Sequence, residues 1–314
     1  MTDRAQTRPL ESVCDRRLLD PCPARFNIAA HVFASAASTP DKPALVVLGD
    51  GDGGVLETWR FGDLDRKIRS LAAGLRDAGL VRGDSVALRL PNSAAFPLLF
   101  FATIAAGGVA VPIAASLTAA EAAVLLARIA PRFAACGDGL EAPLPAGATL
   151  IRPADLETLS DAPPGPIADT AADDPAFLIF TSGTSGQPRG VLHAQRSAWA
   201  RRMMWTGWYG LGATDRVLHA GAFNWTYTLG AGLTDPWAAG ATALVYAGPR
   251  DPLVWPRLAA QHEATLFAAV PGVYRQMLRS DDDLATAFAT LRHGLSAGEK
   301  MPGNVAEAWS ARSG

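Results

Sequence analysis

The amino-acid sequence predicts an α/β fold in which two units each contain a mostly parallel sheet. Short apolar and β-branched runs alternate with helical patterns, which is typical of parallel strands joined by crossover helices. A proline-rich stretch at residues 137–173, with scattered apolar residues, separates two series of such elements. We therefore predict an N-terminal tail at 1–24, a first α/β subdomain at 25–165 and a second at 166–314.

The first series begins with a predicted β-hairpin. Two β-rich runs at 44–48 and 55–60 flank a turn sequence of aspartate and glycine at 50–54. Leucine and isoleucine recur at helical spacing from Leu64 to Leu75 and predict the helix that follows. The remaining expected elements are a strand at 85–90, a buried helix at 96–106, a strand at 109–111, a helix opened by the capping box Thr118–Glu121, and a strand at 133–136.

The second series also alternates strands with helices. Expected strands lie at 177–180, 216–219, 243–246 and 265–269, and expected helices at 197–209, 253–261, 270–279 and 305–312. No repeat of fixed period occurs, so the pattern does not indicate a solenoid or a propeller. The chain of 314 residues is long enough for one large or two moderate domains.

Composition and charge exclude several classes of protein. Hydrophobic residues make up 49% of the chain and charged residues 18%, which is typical of a globular protein. A net charge of -2 gives no reason to expect nucleic acid or an anionic membrane as a partner. Cys14, Cys22 and Cys136 form no C-x-x-C pattern, so we expect neither a disulfide framework nor a structural zinc site. Charged residues near the N-terminus argue against a secretory signal, and we expect a cytoplasmic location.

One uncharged segment at 94–115 is long enough to span a bilayer. Pro97, Gly107, Gly108 and Pro112 interrupt it. We interpret it instead as a buried helix, a glycine turn and a short buried strand.

The sequence T-S-G-T-S-G-Q-P-R-G at 181–190 predicts a phosphate-binding loop. It follows a buried strand directly, its glycines let backbone N–H groups turn toward an anion, and its hydroxyls add donors. Arg189 adds a fixed positive charge with planar donors suited to phosphate. The loop is not a Walker A sequence, and a glycine- and serine-rich loop without a ligand is the alternative interpretation. We assign phosphate binding to Thr181, Ser182, Gly183, Thr184, Ser185, Gly186 and Arg189.

This loop resembles the signature T-S-G-[ST]-[ST]-G-x-P-K-G of the adenylate-forming superfamily, which includes acyl- and aryl-CoA ligases, peptide-synthetase adenylation domains and luciferases. Arg189 stands where that family prefers lysine. Further resemblances occur in the family's order at 26–29, 40–45, 80–87, 270–275 and 295–299. The resemblance implies two stacked, mostly parallel βαβ subdomains of an adenylate-forming large domain.

The resemblance also implies an activity. In this family a carboxylate attacks the α-phosphate of Mg-ATP to give acyl-AMP and pyrophosphate, and a thiol, usually coenzyme A, then displaces AMP. The turn Ser296, Ala297, Gly298 and Glu299 resembles the family's S-[AG]-G-E turn beside adenine and the acid. An aromatic-rich zone falls where the family places the acid pocket, to which we assign Asn224, Trp225 and His193. Aromatic walls favour an aryl or short acyl acid, as in benzoate-type ligases.

Several parts of the family's machinery have no counterpart in this sequence. The Y-G-x-T-E motif with its metal-binding glutamate, the later aspartate and the lid lysine are not found, so we assign no catalytic residue and no metal ligand. Lys300 is the only lysine after the loop, and its position is that of a surface residue. We interpret the chain as a shortened large domain without the C-terminal lid domain, incomplete at its C-terminus. A gene fragment, a split protein and a defined fragment all stay open as its origin.

Two hypotheses of function follow. The first is an ATP-dependent acid–thiol ligase domain that alone binds ATP weakly and turns over poorly. The second is a non-catalytic binding module, perhaps a partner for a separate C-terminal half. A P-loop NTPase is excluded by the missing Walker lysine.

Overall fold

The computed structural model describes residues 20–181, 188–249, 251 and 253–314. Its strands, in chain order, are β1 (Pro43–Leu48), β2 (Val55–Arg60), β3 (Ser85–Arg89), β4 (Val109–Pro112), β5 (Phe133–Cys136), β6 (Thr149–Ile151), β7 (Pro175–Thr181), β8 (Arg189–Ala194), β9 (Arg216–His219), β10 (Thr242–Tyr246), β11 (Leu266–Ala269) and β12 (His293–Ser296). Its helices are α1 (Ile28–Val32), α2 (Phe61–Asp77), α3 (Ala95–Ala106), α4 (Ala119–Ile129), α5 (Asp155–Leu159), α6 (Arg196–Gly207), α7 (Thr226–Leu229), α8 (Asp235–Ala238), α9 (Val254–Gln261), α10 (Pro271–Met277), α11 (Leu284–Ala287) and α12 (Gly303–Ser313). A π-helical turn, Gly230–Thr234, joins α7 to α8.

The described strands form two six-stranded sheets. Sheet I has the order β6-β5-β3-β4-β7-β8, and sheet II has the order β12-β11-β9-β10-β1-β2. Within each sheet the strands are parallel except for one antiparallel hairpin at an edge, β7–β8 in sheet I and β1–β2 in sheet II. The predicted α/β class with mostly parallel sheets is confirmed, and so are the hairpin at 44–60 and the capping box of α4.

The sheets do not follow the division predicted at residue 165. Strands β1 and β2 come from the first half of the chain but belong to sheet II, and β7 and β8 come from the second half but belong to sheet I. The predicted connection at 137–173 also contains the short strand β6 and helix α5. Local patterns identify strands, but the partner of a parallel strand is decided by contacts distant in sequence.

Helix α3 lies in the core between the two sheets. Every residue from Phe96 to Ala106 is buried. On one side Phe100 contacts Phe177 of β7, with ring centroids 5.7 Å apart. On the other side Phe101 contacts Trp237 of α8, with centroids 5.2 Å apart. Burial on all sides explains why this segment has no charged residue.

The predicted interpretation of 94–115 as a helix, a glycine turn and a strand is confirmed. The turn is made by Gly107, whose φ of 88° lies in the left-handed region that favours glycine. None of the described helices is long and apolar enough to cross a membrane.

Gly74 on α2 packs against Leu159, the last residue of α5. A Cβ at position 74 would overlap the backbone carbonyl oxygen of Leu159. We expect Gly74→Ala to destabilise the protein by about 3 kcal/mol, because two backbones must move apart to admit one methyl group. Urea denaturation measures the free energy of unfolding.

The matched control is Gly207→Ala at the end of α6, where a Cβ would meet no atom within 4 Å. We expect that variant to be as stable as the wild type or up to about 1 kcal/mol more stable, because alanine favours a helix. Equal effects at the two positions would contradict the close packing of α2 on α5.

Candidate functional site

The ends of the predicted phosphate loop are fixed by the hairpin of sheet I. Thr181, the last residue of β7, pairs with Arg189, the first residue of β8. Arg128 of α4 donates a hydrogen bond of 2.7 Å from Nη1 to the carbonyl oxygen of Pro188, and its guanidinium lies 5.9 Å from the centroid of the Phe180 ring. These contacts fix the base of the loop, while the Arg189 side chain stays exposed to solvent. Of the predicted phosphate ligands, Ser182, Gly183, Thr184, Ser185 and Gly186 lie outside the described residues.

The turn Ser296–Glu299 leaves the carboxyl end of β12 in sheet II. Gly298 has a φ of +100°, which strongly favours glycine. A Cβ there would lie 3.3 Å from Val270 and 3.7 Å from the ring of Trp225. Glu299 forms an exposed ion pair of 3.3 Å with Arg275. The structure therefore brings the predicted adenine-side turn next to Trp225, one of the residues assigned to the acid pocket.

A cavity of about 500 Å³ lies at the carboxyl ends of the strands of sheet II. Its aromatic wall consists of Trp225, Tyr227, Tyr246 and Trp255. Asn92, which follows β3 of sheet I, also lines it and donates hydrogen bonds to the carbonyl oxygens of Gly221 (3.1 Å) and Tyr246 (3.3 Å). In parallel α/β sheets ligands bind outside the carboxyl ends of the strands. This position and the aromatic wall make the cavity a candidate for the acid pocket.

His193 lies in a different cavity from Trp225. Its ring stacks on Phe177 with a centroid distance of 4.5 Å and an interplanar angle of 8°. Burial lowers its pKa, and the positive charge of Arg201 lowers it further. It lines a smaller cavity of about 120 Å³ with Ser197 and Arg201. Asn224 is not among the lining residues described for either cavity. The three residues assigned to the acid pocket are therefore not brought together in one cavity.

A partly buried ion pair borders the smaller cavity. Arg201 donates from Nε to both carboxylate oxygens of Asp235, at 2.8 and 3.0 Å, and Asp235 is only 1% exposed. The Tyr209 hydroxyl donates to the same carboxylate. Burial opposes the charge of Arg201, but Asp235 outweighs that effect and the pKa of Arg201 is raised. A Cβ at Gly230 would overlap the guanidinium, so the π-helical turn needs glycine there.

Sequence reasoning missed His219, which lines the larger cavity together with Tyr227 of the predicted aromatic-rich zone. His219 is the last residue of β9, and its position at the carboxyl end of a predicted strand was the signal that could have found it. Its Nδ1 accepts the backbone N–H of Gly221 at 2.9 Å. Burial lowers the pKa of His219 to about 3, with a further contribution from Arg201. The sequence offered no comparable signal for Arg201 and Asp235.

Comparison with known proteins decides the family. A family model described as AMP-binding enzyme matches residues 32–314. The chain belongs to the AMP-binding enzyme family. This confirms the resemblance predicted from the loop and the segments around it.

Individual relatives agree with this assignment. The chain is 26% identical over 267 residues to a 3-hydroxybenzoate–CoA/4-hydroxybenzoate–CoA ligase of Thauera aromatica, covering 79% of this chain and 51% of the relative. A benzoate CoA ligase from Burkholderia xenovorans LB400 superimposes with a TM-score of 0.82 at 27% identity, covering 92% of this chain and 59% of that protein. The anthranilate CoA ligase AuaEII, solved in complex with anthranoyl-AMP, has the same fold, with a TM-score of 0.83 at 22% identity over 93% of this chain and 58% of that one. The chain thus spans a little over half the length of these three proteins.

The described residues contain no group of three or more histidine, cysteine, aspartate or glutamate side chains that could hold a metal ion. Glu299 is the one carboxylate of the turn after β12, and it is paired with Arg275. Mg²⁺ usually needs one or two carboxylates in addition to substrate phosphates.

The low pKa of His219 makes stability depend on pH. The unfolded histidine binds a proton near its ordinary pKa of 6.5, whereas the folded one does so only near 3. The contribution of His219 to the free energy of unfolding is therefore fully present above about pH 6.5, and it is lost as the pH drops toward 3. We expect a loss of about 2 kcal/mol from His219 at pH 5, measured by urea denaturation as a function of pH.

The variant His219→Gln should have a shallower pH dependence between pH 6.5 and 4, although His31, whose pKa is lowered to about 4 by burial and by Arg202, retains its own contribution. His293→Gln, at an exposed position, is the control. A slope unchanged in His219→Gln would contradict the burial of a neutral imidazole at this position.

Proposed function

We propose that this chain is the ATP- and acid-binding part of an AMP-forming ligase that activates an aryl or short acyl carboxylate as an acyl-adenylate for transfer to coenzyme A. The observation that carries the proposal is the position of the Gly298 turn next to Trp225, which lines the aromatic cavity. In this arrangement a nucleotide on the turn and an acid in the cavity meet at one edge of sheet II. Membership of the AMP-binding family supports the same chemistry.

The proposed reaction has two steps. A carboxylate oxygen attacks the α-phosphorus of ATP, a new P–O bond forms, and pyrophosphate leaves with the electrons of the broken P–O bond. The thiol sulfur of coenzyme A then attacks the acyl carbon, and AMP leaves as the thiol loses its proton. Both steps concentrate negative charge on phosphate oxygens, which positioned cations and N–H groups stabilise. Mg²⁺ belongs to this proposal as the ion that accompanies ATP.

Among the described residues at the base of the loop, Arg189 is best suited to bind the phosphates. It begins β8 beside the pairing with Thr181, so its backbone is fixed while its side chain is exposed to an incoming ligand. A guanidinium can bind two phosphate oxygens at once, whereas a lysine ammonium acts as a point charge. We propose that Arg189 fulfils in this chain the cationic role of the lysine found in related loops.

The walls of the larger cavity favour a flat aromatic acid. Trp225, Tyr227, Tyr246 and Trp255 supply ring surfaces, and the volume of about 500 Å³ accommodates one substituted ring. The named substrates of the relatives support this choice, since the Thauera aromatica enzyme is a hydroxybenzoate ligase and the Burkholderia xenovorans enzyme a benzoate ligase. We propose a substituted benzoate or a similar short acid as the carboxylate.

Acid-dependent exchange of labelled pyrophosphate into ATP tests the proposed function. We expect exchange with benzoates above the rate without acid. The rate should be low, since this sequence contains no Y-G-x-T-E motif. Exchange that does not depend on any acid would contradict the proposal, and rapid acyl-CoA formation by this chain alone would contradict the low rate.

The contribution of Arg189 is tested by ATP binding. We expect Arg189→Ala to weaken ATP binding about tenfold, because one charge-assisted hydrogen bond to phosphate is lost. Arg189→Lys should weaken ATP binding less than Arg189→Ala does, because the positive charge remains although the two-pronged geometry of the guanidinium is lost. Equilibrium dialysis with labelled ATP measures both dissociation constants.

Arg66→Ala is the control, since Arg66 is an exposed arginine on α2 that pairs only at the surface with Asp63. It should leave ATP binding unchanged. If Arg189→Ala and Arg66→Ala bound ATP equally well, Arg189 would have no role at the phosphates.

A further inference from the structure

The smaller cavity has a positively charged side chain in its wall. Arg201 lines it, together with His193 and the hydroxyl-bearing Ser197, Thr226 and Thr234. None of its described lining residues is an aspartate or a glutamate. A volume of about 120 Å³ holds about four water molecules or one anion of a few atoms. The proposed function gives no role to these side chains.

The ion pair with Asp235 takes up only one edge of the Arg201 guanidinium. The bonds to Asp235 leave from Nε and Nη2, so Nη1 lies outside the pair. Asp235 is 1% exposed and is not among the described lining residues, whereas the Arg201 side chain is 24% exposed and lines the cavity. The Tyr209 hydroxyl donates to the same carboxylate and shares its negative charge. The cavity therefore borders the positive member of the pair.

His193 adds a neutral donor to the same wall. Its ring is stacked on Phe177, which fixes the plane of the imidazole. Burial lowers the pKa of His193 most, and the positive charge of Arg201 lowers it further. The imidazole is therefore neutral at pH 7, and one of its nitrogens carries a proton that it can donate. A charged donor and a neutral donor thus border one cavity.

The remaining walls of the smaller cavity are apolar and include Ile28, Phe100, Phe177 and Leu229. In such surroundings solvent weakens the attraction between a guanidinium and an anion less than it does at the surface. One cation offsets only one negative charge, and a second charge on the ligand would be buried without a partner. The cavity therefore favours a monovalent anion over a phosphate group.

We propose that the smaller cavity binds one small monovalent anion, such as chloride or a short carboxylate, through Arg201, His193 and the hydroxyl groups of Ser197 and Thr234. The guanidinium supplies the charge, and the imidazole and the hydroxyls donate further hydrogen bonds. This site is separate from the larger cavity. The inference goes beyond the proposed function, because it needs neither ATP nor an acid in the larger cavity.

The test titrates the full chain at pH 7 with sodium chloride and with sodium acetate, at constant ionic strength kept by sodium sulfate. The side-chain ¹H–¹⁵N NMR signal of His193, assigned with His193→Gln, reports occupancy. We expect a saturable shift with a Kd on the order of 1 mM for at least one of the two anions. A shift by chloride alone would assign the site to halides, and a shift by acetate would assign it to short carboxylates as well.

Acetamide is the matched control ligand, because it has nearly the shape of acetate without the charge. Where acetate binds, acetamide should bind at least about tenfold more weakly, since it cannot pair with a guanidinium as an anion does. The control variant is Trp225→Ala, which changes the wall of the larger cavity only. It should leave the anion affinity measured at His193 unchanged.

The double variant Arg201→Met with Asp235→Asn removes the cation without leaving an unpaired buried carboxylate. We expect it to weaken anion binding at least about tenfold. Ser197→Ala and Thr234→Val test the site without touching the ion pair, and each should weaken binding about threefold, because one hydrogen bond to the anion is lost.

The inference would be overturned by a His193 signal that neither anion shifts to saturation. Acetamide that binds within threefold of acetate would also overturn it, and so would unchanged affinity in all of the variants at Arg201, Ser197 and Thr234. None of these results bears on the proposed function, which the acid-dependent exchange of pyrophosphate tests separately.

Discussion

The burial of α3 between the two sheets is the constraint on which the rest of the structure depends. Phe100 packs toward β7 of sheet I and Phe101 toward Trp237 beside sheet II, so one helix joins both halves of the core. Trp237 in turn donates from Nε1 to the carbonyl oxygen of Ala44 in β1, at 2.8 Å. With the sheets held in this way, Asn92 from sheet I reaches the carbonyl groups at the carboxyl edge of sheet II. The larger cavity exists because these two edges meet.

Charged groups are distributed unevenly around the edges where the two sheets meet. Arg201 and Asp235 form a partly buried pair beside the smaller cavity, where each charge stabilises the other. The described lining of the larger cavity is instead rich in aromatic rings and is uncharged apart from Asp251. A cavity of this kind selects by shape and hydrogen bonding. Arg189, the residue proposed to supply positive charge to the ATP phosphates, lies on the exposed hairpin of sheet I.

Some elements of the fold could be predicted from the sequence and others could not. The strand before the loop, the capping box of α4 and the buried helix α3 were predictable, since each rests on a pattern within about fifteen residues. The exchange of hairpins between the two sheets was not, because parallel pairing joins strands that are distant along the chain. For the same reason the sequence grouped His193 with Trp225, although β8 and the segment after β9 place them in separate cavities.

By itself the sequence indicated the family and the class of fold, because the ten-residue string at 181–190 and the segments at 26–29, 40–45, 80–87, 270–275 and 295–299 resemble those of the family in their order. It also determined that Arg189 replaces the usual lysine. Only the tertiary structure decided that the Gly298 turn lies next to Trp225 and that His219 and Tyr227 line the same cavity. Those contacts connect residues far apart in the chain, and burial of the apolar core between the sheets brings them together.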